Sequence, residues 1–324
     1  MKAIVRTTYG PAAVLRFEEI DKPVPAEKEV LIRVRAASVN PYDWHFMRGT
    51  PHFIRLFIGL RRPKSPRLGA DVAGEIQSVG SRATQFKPGD VVFGTARGAF
   101  AEYACAPEST IALKPGNVTF EHAAAAPIAG FTALQGLRDT AHLQPGQRVL
   151  INGAAGGVGT FAVQIAKFFG AEVTGVCSTR NVEMVRSIGA DHVIDYTEAD
   201  FTRSGEQYDV LFDCVGHHSL SECRRVITPR GIYVGVGGGG PEVGSFALIA
   251  GMIKKPVLSL FVKQKLLGLH AKANREDLAI LGDMINAGKI TPVIDRRFRL
   301  TEVPDAIRYV ETGHARGKVV IIPE

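Results

Sequence analysis

The segment Val149-Leu150-Ile151-Asn152-Gly153-Ala154-Ala155-Gly156-Gly157-Val158-Gly159 constrains the fold of this chain more than any other. An apolar run that reads as a strand meets glycines at 153, 156 and 159, and the helix-forming stretch from Thr160 to Phe169 follows. Glycine at such positions permits a tight turn, close approach of the backbone to a pyrophosphate and close packing of helix on sheet. The helix N-terminus then offers unpaired N–H groups to the anion. A glycine pattern alone is a weak signal, but between strand and helix it has the context that a dinucleotide-binding turn requires. Gly153, Ala155, Gly156, Gly157, Val158 and Gly159 are therefore the expected pyrophosphate cradle; a glycine turn without a ligand is the alternative.

The same texture runs through the middle of the chain. Strand-like runs at Arg148–Asn152, Glu172–Val176, His192–Ile194, Tyr208–Phe212 and Gly231–Val236 alternate with helical stretches. That alternation predicts βαβ units and a parallel, doubly wound Rossmann sheet. Residues 1 to about 120 read differently, as short strands broken by turn signals such as Lys87-Pro88-Gly89-Asp90, which argues for a barrel-like β domain. A chain of 324 residues exceeds what one core usually fills. The expected division is a β domain over 1–124, a dinucleotide-binding domain over 125–268 and a return to the first domain over 269–324. The run Gly237 to Gly240 reads as a loop.

The end of the second Rossmann strand selects the nicotinamide cofactor. A carboxylate there would bind the 2′-hydroxyl of NADH and repel the 2′-phosphate of NADPH. The chain has Val176-Cys177-Ser178-Thr179-Arg180-Asn181, with no acid. Two hydroxyls and a guanidinium can bind a phosphate by charge-assisted hydrogen bonds, so NADPH is expected, held by Ser178, Thr179 and Arg180.

Lys+Arg 39 against Asp+Glu 32 leaves a net charge of +7. The basic clusters, among them Arg61-Arg62-Pro63-Lys64, are not interleaved with aromatic residues as a base-stacking surface would be, so nucleic-acid binding is not expected. No apolar run reaches the roughly 20 residues of a membrane span. The run Met1-Lys2-Ala3-Ile4-Val5 carries no signal-peptide pattern, and Cys105, Cys177, Cys214 and Cys223 form no C-x-x-C pair. Free thiols, a reducing compartment and a cytoplasmic location are expected.

Several motifs together resemble the medium-chain dehydrogenase/reductase superfamily in its zinc-independent quinone-oxidoreductase branch. They are Ala37-Ser38-Val39-Asn40-Pro41-Tyr42-Asp43, Gly69-Ala70-Asp71-Val72-Ala73-Gly74, Phe86-Lys87-Pro88-Gly89-Asp90, the Gly153–Gly159 loop, Leu211-Phe212-Asp213-Cys214-Val215-Gly216 and Arg316-Gly317-Lys318-Val319. The resemblance covers essentially the whole chain. It implies an α/β protein in which a GroES-like β-barrel domain clasps a Rossmann domain, with the active site in the cleft. It also departs from the zinc alcohol dehydrogenases. Asn40 stands where the first catalytic zinc ligand would be a cysteine, Ala70 where the second would be a histidine, and Ala126–Gly130 offers no third. The loop of four cysteines that holds a structural zinc is missing. No metal site is expected, since catalytic zinc needs about three protein donors.

The resemblance implies that Asn40 polarises the substrate oxygen and that Tyr42, at the proton-relay position, donates a hydrogen bond or proton. A tyrosine that merely lines an apolar pocket is the alternative. Asp43 reads as a helix-capping residue. By position, Tyr196 joins the 2′-phosphate site. Val215, Gly216, Val236, Gly237 and Thr132 border the nicotinamide, and Lys318 reaches the cofactor. The implied reaction is NADPH-dependent reduction of a quinone, enone or related small carbonyl substrate. An NADPH-binding structural or regulatory protein and a zinc alcohol dehydrogenase are the rival readings, and a homodimer is the candidate assembly. Two apolar, basic segments, His52 to Arg62 and Phe246 to Lys255, read either as an apolar funnel with weak attraction to an anionic membrane or as lid packing and a dimer contact. Packing is the expectation, and membrane contact is not.

Overall fold

The computed structural model describes residues 1–236 and 262–323. They fall into two units, Met1–Ala129 with Lys272–Glu324, and Gly130–Ala271.

The first unit is built on a seven-stranded sheet among the described residues. Its central element is the strand Glu29–Val39, which pairs antiparallel with Asp71–Val79, Tyr103–Pro107 and Lys318–Ile322. The C-terminal strand thus completes a sheet begun at the other end of the chain, with Val319 opposite Val39 and Val320 opposite Ser38. Val30 and Ile32 on this strand, Val72 and Ile76 on its neighbour and Val319 and Ile321 on the returning strand are all buried in one apolar core with Met47 and Phe100. The turn Lys87-Pro88-Gly89-Asp90 closes as its residues demand. Gly89 adopts φ +90°, the Asp90 N–H donates to the Lys87 carbonyl, and the Asp90 carboxylate accepts from the Lys87 N–H at 2.9 Å.

The second unit holds a six-stranded parallel sheet among the described residues. Its order is His192–Asp195, Glu172–Cys177, Arg148–Asn152, Tyr208–Asp213, Ile227–Gly235 and Lys265–Gly268. The central strands are buried on both faces, which explains their near-continuous apolar runs. The order reverses between Arg148–Asn152 and Tyr208–Asp213, and ligands of open α/β sheets bind beyond the strand ends at such a switch point. The helix after the first strand spans Gly157–Phe168, so it begins three residues before Thr160, inside the glycine loop. Low helix propensity masks that start in the sequence; close packing there requires the missing side chains.

Candidate active site

In the first unit three strands deliver a buried polar cluster. Ser38 lies at the end of the strand Glu29–Val39 and Asn40 directly follows it, Asp71 begins the strand paired with it, and Lys318 begins the returning strand. Asp71 is fully buried; its Oδ2 accepts from Ser38 Oγ at 2.8 Å, Asn40 Nδ2 at 2.9 Å and Lys318 Nζ at 3.4 Å. Its Oδ1 accepts from the Ile128 N–H at 3.1 Å. Lys318 Nζ also donates to Asn40 Oδ1 at 2.5 Å. Asn40 is 3% exposed, and both ends of its amide are engaged; the weakest of these bonds runs from Nδ2 to the Ser38 carbonyl at 3.4 Å. Burial lowers the pKa of Lys318, while the Asp71 and Asp43 carboxylates pull it back up.

Asn40 also caps the helix Pro41–Arg48, with Pro41 at the first helical position. The Asp43 carboxylate accepts from the Asn40 N–H at 2.8 Å, the helix-start role its spacing suggested. Burial raises the Asp43 pKa to about 7, against the lowering effect of that N–H. Unlike the buried Asn40 and Asp43, Tyr42 faces outward. It is 46% exposed and its ring stacks on Phe46 with centroids 4.1 Å apart. Partial burial and the nearby Asp43 charge push its phenol up to about 12, so it stays protonated at neutral pH.

In the second unit the glycine loop sits at the strand-order reversal. Gly153 has φ +81°, and a Cβ there would come within 2.8 Å of Val215 on the neighbouring strand's loop. A Cβ on Gly159 would lie 2.0 Å from the Gly153 carbonyl oxygen, so turn and helix close on each other only without side chains. Gly156, Gly157 and Val158 are partly exposed. The N–H groups of residues 157–159 belong to the first helical turn, which has no intrahelical acceptors. This cradle fits a pyrophosphate.

The loop after Tyr208–Asp213 is fixed by Asp213, which is 2% exposed. Its Oδ1 accepts from Asn152 Nδ2 at 2.9 Å and from the N–H groups of Val215 and Gly216 at 3.0 Å; its Oδ2 accepts from the Tyr233 hydroxyl at 2.9 Å. Val215 and Gly216 are thereby held beside Gly153, and Val236 donates its N–H to the Asp213 carbonyl. At the end of the second strand Ser178 is half-buried and Thr179 and Arg180 are exposed. Tyr196 is 54% exposed, and its N–H donates to the Cys177 carbonyl. An acid does stand nearby, on the adjacent strand. Asp195 pairs in register with Cys177, and hydrogen bonds led by the Thr179 side chain hold its pKa below the usual range.

The structure brings Asn40 and Lys318 together and collects the glycine loop, Val215 and Gly216. Lys318, expected at the cofactor, is 2% exposed with its ammonium on Asn40 and Asp71. Thr132 is half-buried in the helix Pro127–Gln135. Gly237, the glycine run and the segment Phe246 to Lys255 lie outside the described residues. Sequence reasoning missed Asp71 and Asp213 as hydrogen-bond hubs. Each is an acid bordering a strongly apolar strand, and a charge so placed needs partners from elsewhere.

Residues 26–116 match the alcohol dehydrogenase GroES-like domain, and residues 188–321 match the zinc-binding dehydrogenase family. The chain is 34% identical over its full length to the chloroplast envelope quinone oxidoreductase homolog of Arabidopsis thaliana, covering 98% of it. It is 35% identical to the NADPH-dependent alkenal/one oxidoreductase of the same plant, covering all of this chain and 80% of that one. The quinone oxidoreductase of Coxiella burnetii superposes with a TM-score of 0.86 at 32% identity over 99% of both chains. With a GroES-like domain, a Rossmann sheet in this strand order and relatives of this similarity along its whole length, the chain belongs to the quinone-oxidoreductase branch of the medium-chain dehydrogenase/reductase superfamily.

Proposed function

We propose that this protein is an NADPH-dependent reductase of small lipophilic quinones and enones that works without a metal ion. The observation that carries the reading is the cluster of Asn40, Asp71 and Lys318. At the place where zinc relatives gather ligands, the chain seats an ammonium ion, which repels a divalent cation and leaves substrate polarisation to hydrogen-bond donors. The relatives named for quinone and alkenal/one reduction support the substrate class.

NADPH, when bound, supplies the hydride. The chain's residues place it. The first-turn N–H groups of residues 157–159 hold the pyrophosphate, and Ser178, Thr179, Arg180 and Tyr196 take the 2′-phosphate. The Val215–Gly216 loop, stiffened by Asp213, borders the nicotinamide with Val236 and Thr132. Toward the substrate, the exposed Tyr42 hydroxyl is the principal donor to the oxygen on which charge develops. Asn40 contributes Nδ2 by giving up its long bond to the Ser38 carbonyl. A phenol with a pKa near 12 donates a hydrogen bond readily and a proton reluctantly, so water completes protonation of a quinol anion. Cytoplasmic residence is part of the same reading, supported by four free cysteines.

NADPH oxidation measured against a panel of quinones, enones and simple aldehydes tests the proposal. Turnover is expected with the first two classes and unaffected by prolonged chelation. Tight NADPH binding without turnover on any of them would establish a binding protein instead, and stoichiometric zinc lost together with activity would establish a zinc dehydrogenase.

A further inference from the structure

From Trp44 to Ala70 the chain contains no aspartate or glutamate, yet it carries Arg48, Arg55, Arg61, Arg62, Lys64 and Arg67. Within that stretch lie four of the large apolar side chains that the fold leaves in solvent. They are Phe53 at 37% exposure, Leu56 at 65%, Phe57 at 75% and Leu60 at 66%. Sequence alone favoured lid packing and a dimer contact for this segment; within the single chain these side chains stay exposed. Soluble proteins rarely concentrate such residues without an interaction to cover them.

The segment is not a loose loop. Arg55 donates from Nε to the Gly49 carbonyl at 2.9 Å and from Nη2 to the Arg48 carbonyl at 3.1 Å, and its guanidinium lies 4.5 Å from the centroid of the Tyr9 ring. The Tyr9 hydroxyl donates to the Gly59 carbonyl at 2.6 Å, and the Lys64 N–H donates to the Ile58 carbonyl at 2.8 Å. The backbone is pinned while Leu56, Phe57 and Leu60 point away from it. Directly after them come Arg61, Arg62 and Lys64, all exposed and without a carboxylate partner among the described residues.

We propose that this face docks reversibly on an anionic lipid bilayer, with Leu56, Phe57 and Leu60 entering the headgroup boundary and Arg61, Arg62 and Lys64 lying against lipid phosphates. Apolar groups flanked by cations are the composition that interfacial binding selects. Charge favours this occupant over a second copy of the chain. Apposing two copies of the same face would bring six like charges together, whereas an anionic surface pairs them. Among the described residues no helix is long and apolar enough to cross a membrane, so the contact is peripheral. The proposal does not depend on the reaction proposed above, although a lipid surface is where lipophilic quinones and enones concentrate.

Flotation of the full chain with vesicles of phosphatidylcholine alone, and of phosphatidylcholine mixed with phosphatidylglycerol, tests it. Three basic residues near an anionic surface should make partitioning roughly 10²-fold stronger on the mixed vesicles, with the difference shrinking at high salt. The triple variant Leu56→Ser/Phe57→Ser/Leu60→Ser and, separately, Arg61→Gln/Arg62→Gln/Lys64→Gln should each lose most of that binding. Unchanged melting temperature and NADPH affinity would show both variants folded. Equal binding to both vesicle types, or binding to neither, overturns the proposal. So does a concentration-dependent dimer that the apolar variant dissociates, which would make the face a self-association surface. Vesicle binding that survives both variants while turnover with a water-soluble quinone collapses would assign the segment to the substrate path, and would also overturn it.

Discussion

Lys318 and Asn40 lie 278 residues apart in the chain, yet the lysine ammonium sits 2.5 Å from the asparagine oxygen. That contact sets the amide's orientation. With Oδ1 committed to the ammonium, Nδ2 must face Asp71 and the Ser38 carbonyl, and it is the only end of Asn40 that can be offered to a substrate oxygen.

Removing the ammonium should therefore cost stability before it costs chemistry. Lys318→Met leaves Asp71 as an uncompensated buried carboxylate, a loss of about 3–5 kcal/mol for a broken buried pair. Denaturant unfolding should show it. Adding Asp71→Asn to Lys318→Met should recover part of the loss, because the unpaired charge is gone. Strictly additive losses in the double variant would show that the two side chains are not coupled.

Tyr42→Phe should lower turnover on enones by roughly 10²–10³, the scale of one lost donor to a developing oxyanion, and on quinones by less. With the phenol pushed up to about 12, wild-type activity should not fall with tyrosine ionisation as pH passes 10. Turnover of the variant unchanged from wild type on both substrate classes would make Tyr42 pocket lining, with solvent as the acid.

The buried Asp43 gives stability a pH dependence of unusual sign. Its carboxyl titrates near 7 in the folded protein and at about 4 when unfolded. Between those values the folded protein holds a proton that the unfolded chain has released, so stability falls as pH rises from about 4 to about 7. The effect is on the order of a few kcal/mol, and Asp43→Asn should remove it while keeping an acceptor for the Asn40 N–H. Urea unfolding of both proteins at about pH 5 and about pH 8 checks this; parallel pH dependence in the two would rule Asp43 out as its source.

At the ribose end, Arg180→Ala should weaken NADPH binding roughly tenfold or more, as expected for a lost hydrogen bond to a charged group, and leave NADH nearly unchanged. Asp195→Asn should act the other way, favouring NADPH by removing a neighbouring negative charge, with an effect that fades in high salt. Titrations of both cofactors measure these shifts. An Arg180→Ala variant that loses both cofactors equally would place the guanidinium away from the 2′-phosphate.

Local chemistry made the Rossmann half legible in the sequence. Glycines 153, 156 and 159 lie seven residues end to end, and the turn they form depends on backbone geometry that only glycine permits. The strand alternation and the Lys87–Asp90 turn were readable for the same reason. Tyr42 and Asn40 could be singled out by resemblance, but not their opposite fates. One residue lies near half exposure and the other is buried, because the start of the helix Pro41–Arg48 turns Tyr42 outward from the sheet that buries Asn40. The resemblance assigned Lys318 to the cofactor by its position in the motif Arg316-Gly317-Lys318-Val319. Only the antiparallel pairing of Lys318–Ile322 with Glu29–Val39 carries it into the cluster around Asp71. Asp195 escaped notice as a neighbour of Thr179 because parallel pairing sets it opposite Cys177, eighteen residues back in the sequence and two before Thr179. Exposure of Phe57 beside Arg61 and Arg62 was likewise beyond a linear reading, since an apolar run reads the same whether the fold covers it or leaves it in water.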